Sequence, residues 1–130
     1  MNALNRTHDL HARSWVESAN AAGGDFPIQN LPLAVFRRAG SAEPFRGGIA
    51  IGGEVLDLAA LVARQQLDGL ALDAARAAAL PALNDFFALG RSAWKALRHA
   101  LFDLLKNDAP VASVQAVREC LVPQADVEYT

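Results

Sequence analysis

The most regular alternation of apolar and polar positions lies between Ile49 and Leu58. Ile49-Ala50-Ile51 and Val55-Leu56 flank Gly52-Gly53. Two strands joined by a two-residue loop need positive φ in the loop, which glycine adopts without steric cost. Pairing across that turn sets Ile51 opposite Glu54, Ala50 opposite Val55 and Ile49 opposite Leu56. Paired residues share a face. Ile49, Ile51 and Leu56 therefore line one side, the expected core side, and Ala50, Val55 and Asp57 the other. Upstream, Leu33-Ala34-Val35-Phe36 is apolar on both faces, as in a strand covered on both sides. Pro27 and Pro32 hold the preceding segment extended and cannot donate to a ladder. Arg37 to Arg46 reads as a link, with Gly40, Ser41 and Pro44 as turn residues.

Helical spacing takes over after the hairpin. Asp57 is placed to cap a helix over Leu58 to Gln66. Asp68-Gly69 reads as a turn. Leu72 to Leu80 is rich in alanine and strongly helix-prone, with Pro81 interrupting it. From Ala82 to Lys106 one apolar stripe runs through Leu83, Phe86, Phe87, Trp94, Leu97, Leu101, Leu104 and Leu105. Asp85 near its start and Lys106 at its end suit the helix dipole. Gly90 interrupts this segment at about 1 kcal/mol relative to alanine. It marks either a kink or close packing site in one helix of about 36 Å, or a break into two helices with Ser92 capping the second. Asn107 to Pro110 is a turn, and Val117 to Val122 supplies one more helix turn or an edge strand. At the other end, Ser14 to Ala19 fits a short helix with Ser14 as N-cap, Met1 to His11 is polar without a period, and Ala21 to Gly24 is a small-residue break. The fold class expected is α+β: a small, strongly bent antiparallel sheet packed by a long helix and shorter ones.

Composition narrows the function. With 130 residues, 52% of them hydrophobic, the chain can build one compact domain but not two ordinary ones. The net charge of −2 is scattered and offers no basic face for nucleic acid or an anionic membrane. No apolar run approaches the roughly 18 residues of a membrane span, and the start lacks the apolar centre of a signal peptide. Cys120 is the single cysteine, which fits a reducing compartment. These features predict a soluble, cytoplasmic protein.

No constellation of catalytic side chains is written in the chain. His8 and His11, with Asp9 between them, fit one side of a helix turn, but a metal site needs three or four ligands and no further cluster backs them. His99 lies off the apolar stripe and reads as solvated or partly packed. Ser14 and Ser92 have no histidine nearby in sequence, and no Gly-x-Ser-x-Gly elbow occurs. Gly47-Gly48 and Gly52-Gly53 lack the Lys-Ser/Thr ending of a phosphate loop. Arg37, Arg38 and Arg46 form a small basic group that reads as a solvated rim, with a contact surface as the alternative. Phe86, Phe87 and Trp94 read as core rather than as an aromatic ligand pocket. A helix-turn-helix over Ala82 to His99 is set aside, because Arg91, Lys95 and Arg98 stand in an acidic chain.

Several stretches nevertheless carry a resemblance. Asp25-Phe26-Pro27-Ile28, Asn30-Leu31-Pro32, Val35-Phe36, Gly48-Ile49-Ala50-Ile51-Gly52 and Leu56-Asp57-Leu58 resemble the amino-terminal domain of the fumarylacetoacetase family. The likeness continues at Leu83-Asn84, Leu89-Gly90, Ala93-Trp94-Lys95 and Arg98, and covers roughly Ser14 to Asp126. It implies three parts: a polar segment with a short helix over 1–24, an SH3-like barrel decorated with helices over 25–122, and over 123–130 the start of a linker to an absent catalytic domain. In that other domain the family holds a divalent metal (Ca or Mg) on carboxylates. A His–Glu pair there activates a water, and a carbon–carbon bond breaks to give fumarate and acetoacetate, the last step of tyrosine breakdown. The metal stabilises the enolate leaving group.

The resemblance further implies packing against the catalytic domain of the same polypeptide and a homodimer of the full-length enzyme. The ending Asp126-Val127-Glu128-Tyr129-Thr130 resembles the approach to the family's first metal-ligand motif. No catalytic, cofactor or metal residue is carried over onto it. The chain is expected to be inactive alone, as an expressed fragment or a natural truncation; the alternative is a stand-alone SH3-like interaction module or truncated paralogue. The docking surface expected is Val117 to Val127, where Leu121 and Val122 lack an obvious partner, with the Arg37–Arg46 rim next.

Overall fold

The computed structural model describes residues 13–20, 28, 31–79 and 84–129. The expected features at Met1 to His11, Ala21 to Pro27, Asn30 and Leu80 to Leu83 lie outside the described residues. Five strands form one antiparallel sheet: β1 Leu33–Arg38, β2 Arg46–Ile51, β3 Glu54–Asp57, β4 Leu121–Pro123 and β5 Val127–Tyr129, in the order β4-β3-β2-β1-β5. The β2–β3 hairpin has the register its sequence dictates, with Ile49↔Leu56, Ala50↔Val55 and Ile51↔Glu54. Gly52 sits at φ +56° in the turn. The hairpin tip rests on the 3₁₀ turn Glu17–Asn20, where the Ser18 hydroxyl accepts from the Gly53 N–H at 2.9 Å.

The sheet is curled but not closed. Only the 3₁₀ turn Gln124–Asp126 separates β4 from β5, although these strands lie at opposite edges. Four residue steps reach at most about 14 Å, whereas four strand spacings of a flat sheet measure about 19 Å. The sheet must therefore bend until its edges approach. Gln124 fastens the bend, its backbone N–H donating to Gly53 O at 2.8 Å and its side-chain amide to Gly52 O at 3.0 Å. Among the described residues β4 and β5 do not pair, so the closed barrel implied by the resemblance is instead an open sheet.

Both faces of the sheet are covered. Ile49, Ile51 and Leu56 enter the main core with Leu58, Leu61, Leu97, Leu101 and Leu105, as the alternation predicts. The opposite face has its own small core of Phe36, Val55 and Val122, with Val127 against it.

Among the described residues five helices accompany the sheet: α1 Leu58–Ala63, α2 Gly69–Ala78, α3 Asn84–Ala88, α4 Arg91–Leu105 and α5 Val111–Arg118. Asp57 caps α1 as expected, its carboxylate accepting from the Ala59 N–H at 3.2 Å. α1 stops short of Gln66, because Gln65 adopts φ +57°. α2 begins earlier than its alanine run, at Gly69, and buries Ala71, Ala74, Ala75 and Ala78. Its small side chains let the backbone come close to β2. A Cβ on Gly47 would lie 1.6 Å from the Ala78 carbonyl oxygen.

The expected long helix is two helices. Gly90, at φ +86°, ends α3 and itself occupies the N-cap position of α4. Ser92 falls inside the first turn of α4 and is exposed, so it is not the cap. The fifteen-residue α4 is about 22 Å long. Its last carbonyls would be orphans but for the Arg13–Asn20 segment. The Ser14 hydroxyl donates to Leu105 O at 2.5 Å and the Trp15 indole N–H to Leu104 O at 2.7 Å. Ser14 thus satisfies the end of α4, and its hydroxyl oxygen also accepts from the Val16 N–H at 3.0 Å just ahead of the 3₁₀ turn Glu17–Asn20, in the manner of the expected cap.

Candidate functional site

The polar residues singled out from sequence are engaged in holding the fold. Asp57 is buried at the junction of β3 and α1, and while one oxygen caps α1 the other accepts from Arg46 Nη2 at 2.8 Å and Nε at 3.2 Å. Arg46 also reaches Glu43 at 2.7 Å and lies 4.7 Å above the Phe36 ring. Burial works against the Arg46 charge, but its bonds to Asp57 and Glu43 outweigh that and raise its pKa above the ordinary guanidinium value. The Arg38 backbone N–H, and after it Arg46, hold the Glu43 carboxyl below the usual range. Arg37 pairs with Glu128 and stacks 4.5 Å over Phe45, and Arg38 pairs with Glu43 at 3.7 Å. The basic group is therefore ion-paired throughout; Arg38 and, in part, Arg37 are solvated as expected, and Arg46 is mostly buried.

Cys120 is buried and its thiol points to the Ala116 carbonyl, and burial pushes its pKa up. His99 is half-buried on α4, and Gly47-Gly48 and Gly52-Gly53 are both in the hairpin. Arg118 caps the Trp15 ring at 4.9 Å, beside a hollow that also takes in Glu17 and Glu54. Burial, and then the Asp126 charge, raise the Glu54 carboxyl above its ordinary range. The possible metal pair His8–His11 and Asp9 lies outside the described residues. Among the described residues no three His, Cys, Asp or Glu side chains gather to hold a metal.

The docking surface expected at Val117 to Val127 is not an apolar patch. Val117, Cys120 and Val122 are buried, and Leu121 packs on the main core because β4 pairs with β3. Of the exposed large apolar side chains among the described residues, Phe87 and Leu89 lie together at the α3–α4 corner, whereas Leu70, Val111 and Tyr129 stand singly on α2, α5 and β5. Phe86 is buried, as a core residue should be, but Phe87 is 68% exposed and Leu89 42%. The break at Gly90 ends the stripe that was to have buried Phe87. Phe86 meets Phe87 edge-on at 5.7 Å between ring centroids and Trp94 at 5.8 Å. Leu33, Phe86, Phe87, Gly90, Arg91 and Trp94 line a groove of about 540 Å³. Sequence reasoning placed these rings in the core, and the Leu89-Gly90 pair after them was the signal that a corner, not a continuous stripe, would form.

Residues 29–130 match the family described as Fumarylacetoacetase N-terminal. The chain is 44% identical to a fumarylacetoacetase of Oryza sativa subsp. japonica over 120 residues, covering 89% of this chain and 28% of the relative. It is 44% identical to one from Arabidopsis thaliana over 66% of the chain and 20% of the relative. The human fumarylacetoacetase is 37% identical over 77% of the chain and 24% of the relative. The chain thus spans about a quarter of the length of the relatives it matches. The hairpin, the Asp57 cap and the α3–α4 corner all fall within the matched span, and the chain belongs to the fumarylacetoacetase family as its amino-terminal domain.

Proposed function

We propose that the chain is the non-catalytic amino-terminal domain of a metal-dependent hydrolase. That enzyme cleaves 4-fumarylacetoacetate to fumarate and acetoacetate, in the cytoplasm, in tyrosine and phenylalanine catabolism. The observation that carries this is the family match over 29–130, on a domain whose buried polar side chains are engaged in caps and ion pairs. The described residues do not fit a Ca or Mg site, since no cluster of three ligands occurs among them, so no chemical step is assigned to them.

The domain's contribution is positional. It docks on the catalytic domain of the same polypeptide, in a homodimeric enzyme, through an interface of the kind that commonly buries roughly 600–1,500 Å². The curl of the sheet, with its three-residue bridge between edge strands, supports an SH3-like reading of its architecture. Among the described residues no helix is long and apolar enough to cross a membrane.

The test is an assay of diketone absorbance with fumarylacetoacetate and Mg or Ca. The chain alone should leave the absorbance unchanged, and a polypeptide continued by its gene past Thr130 should consume the substrate. Enzyme-like turnover by the chain alone would overturn the reading. A stop codon after Thr130 would favour an independent interaction module.

A further inference from the structure

We infer that the groove at the α3–α4 corner is the seat of the polypeptide that follows residue 130, held there as an extension of β5. This rests on the reading that the chain continues into a catalytic domain. Three observations carry it. First, direction: β5 is antiparallel to β1, and advancing from Val127 to Tyr129 moves from Arg38 back to Phe36. The next levels along that edge are Val35, Ala34 and Leu33, and Leu33 lines the groove. Three strand steps cover about 10 Å, so the following residues arrive at the groove without a turn.

Second, the described pairing of β5 with β1 runs from Arg38 to Phe36 and leaves Leu33 and Ala34 of the same strand further along the direction β5 takes. A strand edge is a template for one more extended segment. Third, the groove suits apolar side chains. Phe87 is exposed and Trp94 half-buried, and Arg91 is the one charged residue among the described lining. A small-molecule site would instead present several convergent polar groups. The segment's strand bonds to β1 supply its register, and the groove takes its apolar residues.

The experiment uses the chain labelled with 5-fluorotryptophan. Its two tryptophans, Trp15 and Trp94, give two fluorine resonances, assigned by Trp94→Phe or, should that variant not fold, by Trp15→Phe. The 130-residue chain is compared with one prolonged by the next residues of its gene, about fifteen, enough to pass β1 and cross the groove. The Trp94 resonance should shift on prolongation and its H2O/D2O solvent effect should at least halve, while Trp15 stays unchanged. Phe87→Ser in the prolonged chain should restore the solvent effect, and Leu70→Ser, on α2, should not.

An unchanged Trp94 in the prolonged chain overturns the inference. If Trp94 then changes only in the full-length protein, the groove is covered by the catalytic domain itself and the proposed function stands. A Trp94 shift that grows with concentration in the 130-residue chain overturns it in favour of a second copy. A gene that stops after Thr130 removes the underlying reading as well.

Discussion

Replacing Gly47 with alanine tests the closest approach in the fold. The added Cβ would fall 1.6 Å from the Ala78 carbonyl oxygen and 2.6 Å from its carbon. Both are backbone atoms at the end of α2, so no side chain can swing aside. Reaching an ordinary non-bonded separation needs a displacement of about 2 Å. That movement lifts α2 from β2 and opens the layer where Ala74, Ala75 and Ala78 are wholly buried. Overpacking of this sort costs about 1–3 kcal/mol, and a backbone obstacle puts Gly47→Ala at about 3 kcal/mol or more. Against a total stability of roughly 5–15 kcal/mol that is a large share. With an m value of about 2 kcal/mol per M, the urea midpoint followed by circular dichroism should fall by about 1.5 M. Gly53→Ala is the control, since the nearest atom to its Cβ is the Ser18 hydroxyl at 3.7 Å. A Gly47→Ala midpoint within about 0.3 M of the parent would refute the packing of α2 on β2.

Asp57→Ala should lose about 2–3 kcal/mol, roughly 1 from the α1 cap and the rest from removing one of the two carboxylates that hold the mostly buried Arg46, which keeps Glu43; Asp57→Asn, whose amide oxygen still accepts from Ala59, should lose less in the same urea titration. Glu54→Gln should stabilise the protein at neutral pH. The raised Glu54 pKa means that its contribution is fully present below the unfolded carboxyl value and declines as pH rises through the folded one. The gain in thermal midpoint should therefore vanish on acidification below the unfolded value; a gain that persists there would dismiss the burial of its charge as the cause. Cys120 should react with a thiol reagent much more slowly in the folded chain than in urea, and equal rates would contradict its burial.

The hairpin was legible because Gly52-Gly53 fixes both turn and register, and the Asp57 cap because the aspartate stands directly before the apolar helix spacing. Gly90 was legible as an interruption, but its φ of +86°, which turns a kink into a corner, follows from how α3 and α4 pack. α5 was missed beyond its last turn. Its β-branched Val111, Val114 and Val117 do not favour helix intrinsically, although Pro110 is a residue type common at helix starts. β5 was unreadable, since three residues show no period and their strand state comes from pairing with β1. The second core is legible only as a β1 apolar on both faces, without its partners. Phe36, Val55 and Val122 are brought to one face only when a strand near the chain's end joins β3. The groove at Phe86, Phe87 and Trp94 is not legible in the sequence, because helical spacing alone cannot say where a stripe stops.

The three-residue bridge between β4 and β5 also sets a timetable for the chain during its synthesis. Arg37 meets Glu128 across 91 positions, and translation at about 5–20 residues per second takes roughly 5–20 s to cover that distance. The β2–β3 hairpin forms locally, on the order of microseconds. The outer edge of β1 therefore has no β5 to pair with until residues 127–129 have been made, seconds later. Two adjacent arginines, Arg37 and Arg38, stand on that edge, and charged residues there discourage pairing with neighbouring chains. Glu128 then arrives with the closing strand and neutralises Arg37. The same guanidinium thus guards the nascent edge before it anchors the finished one.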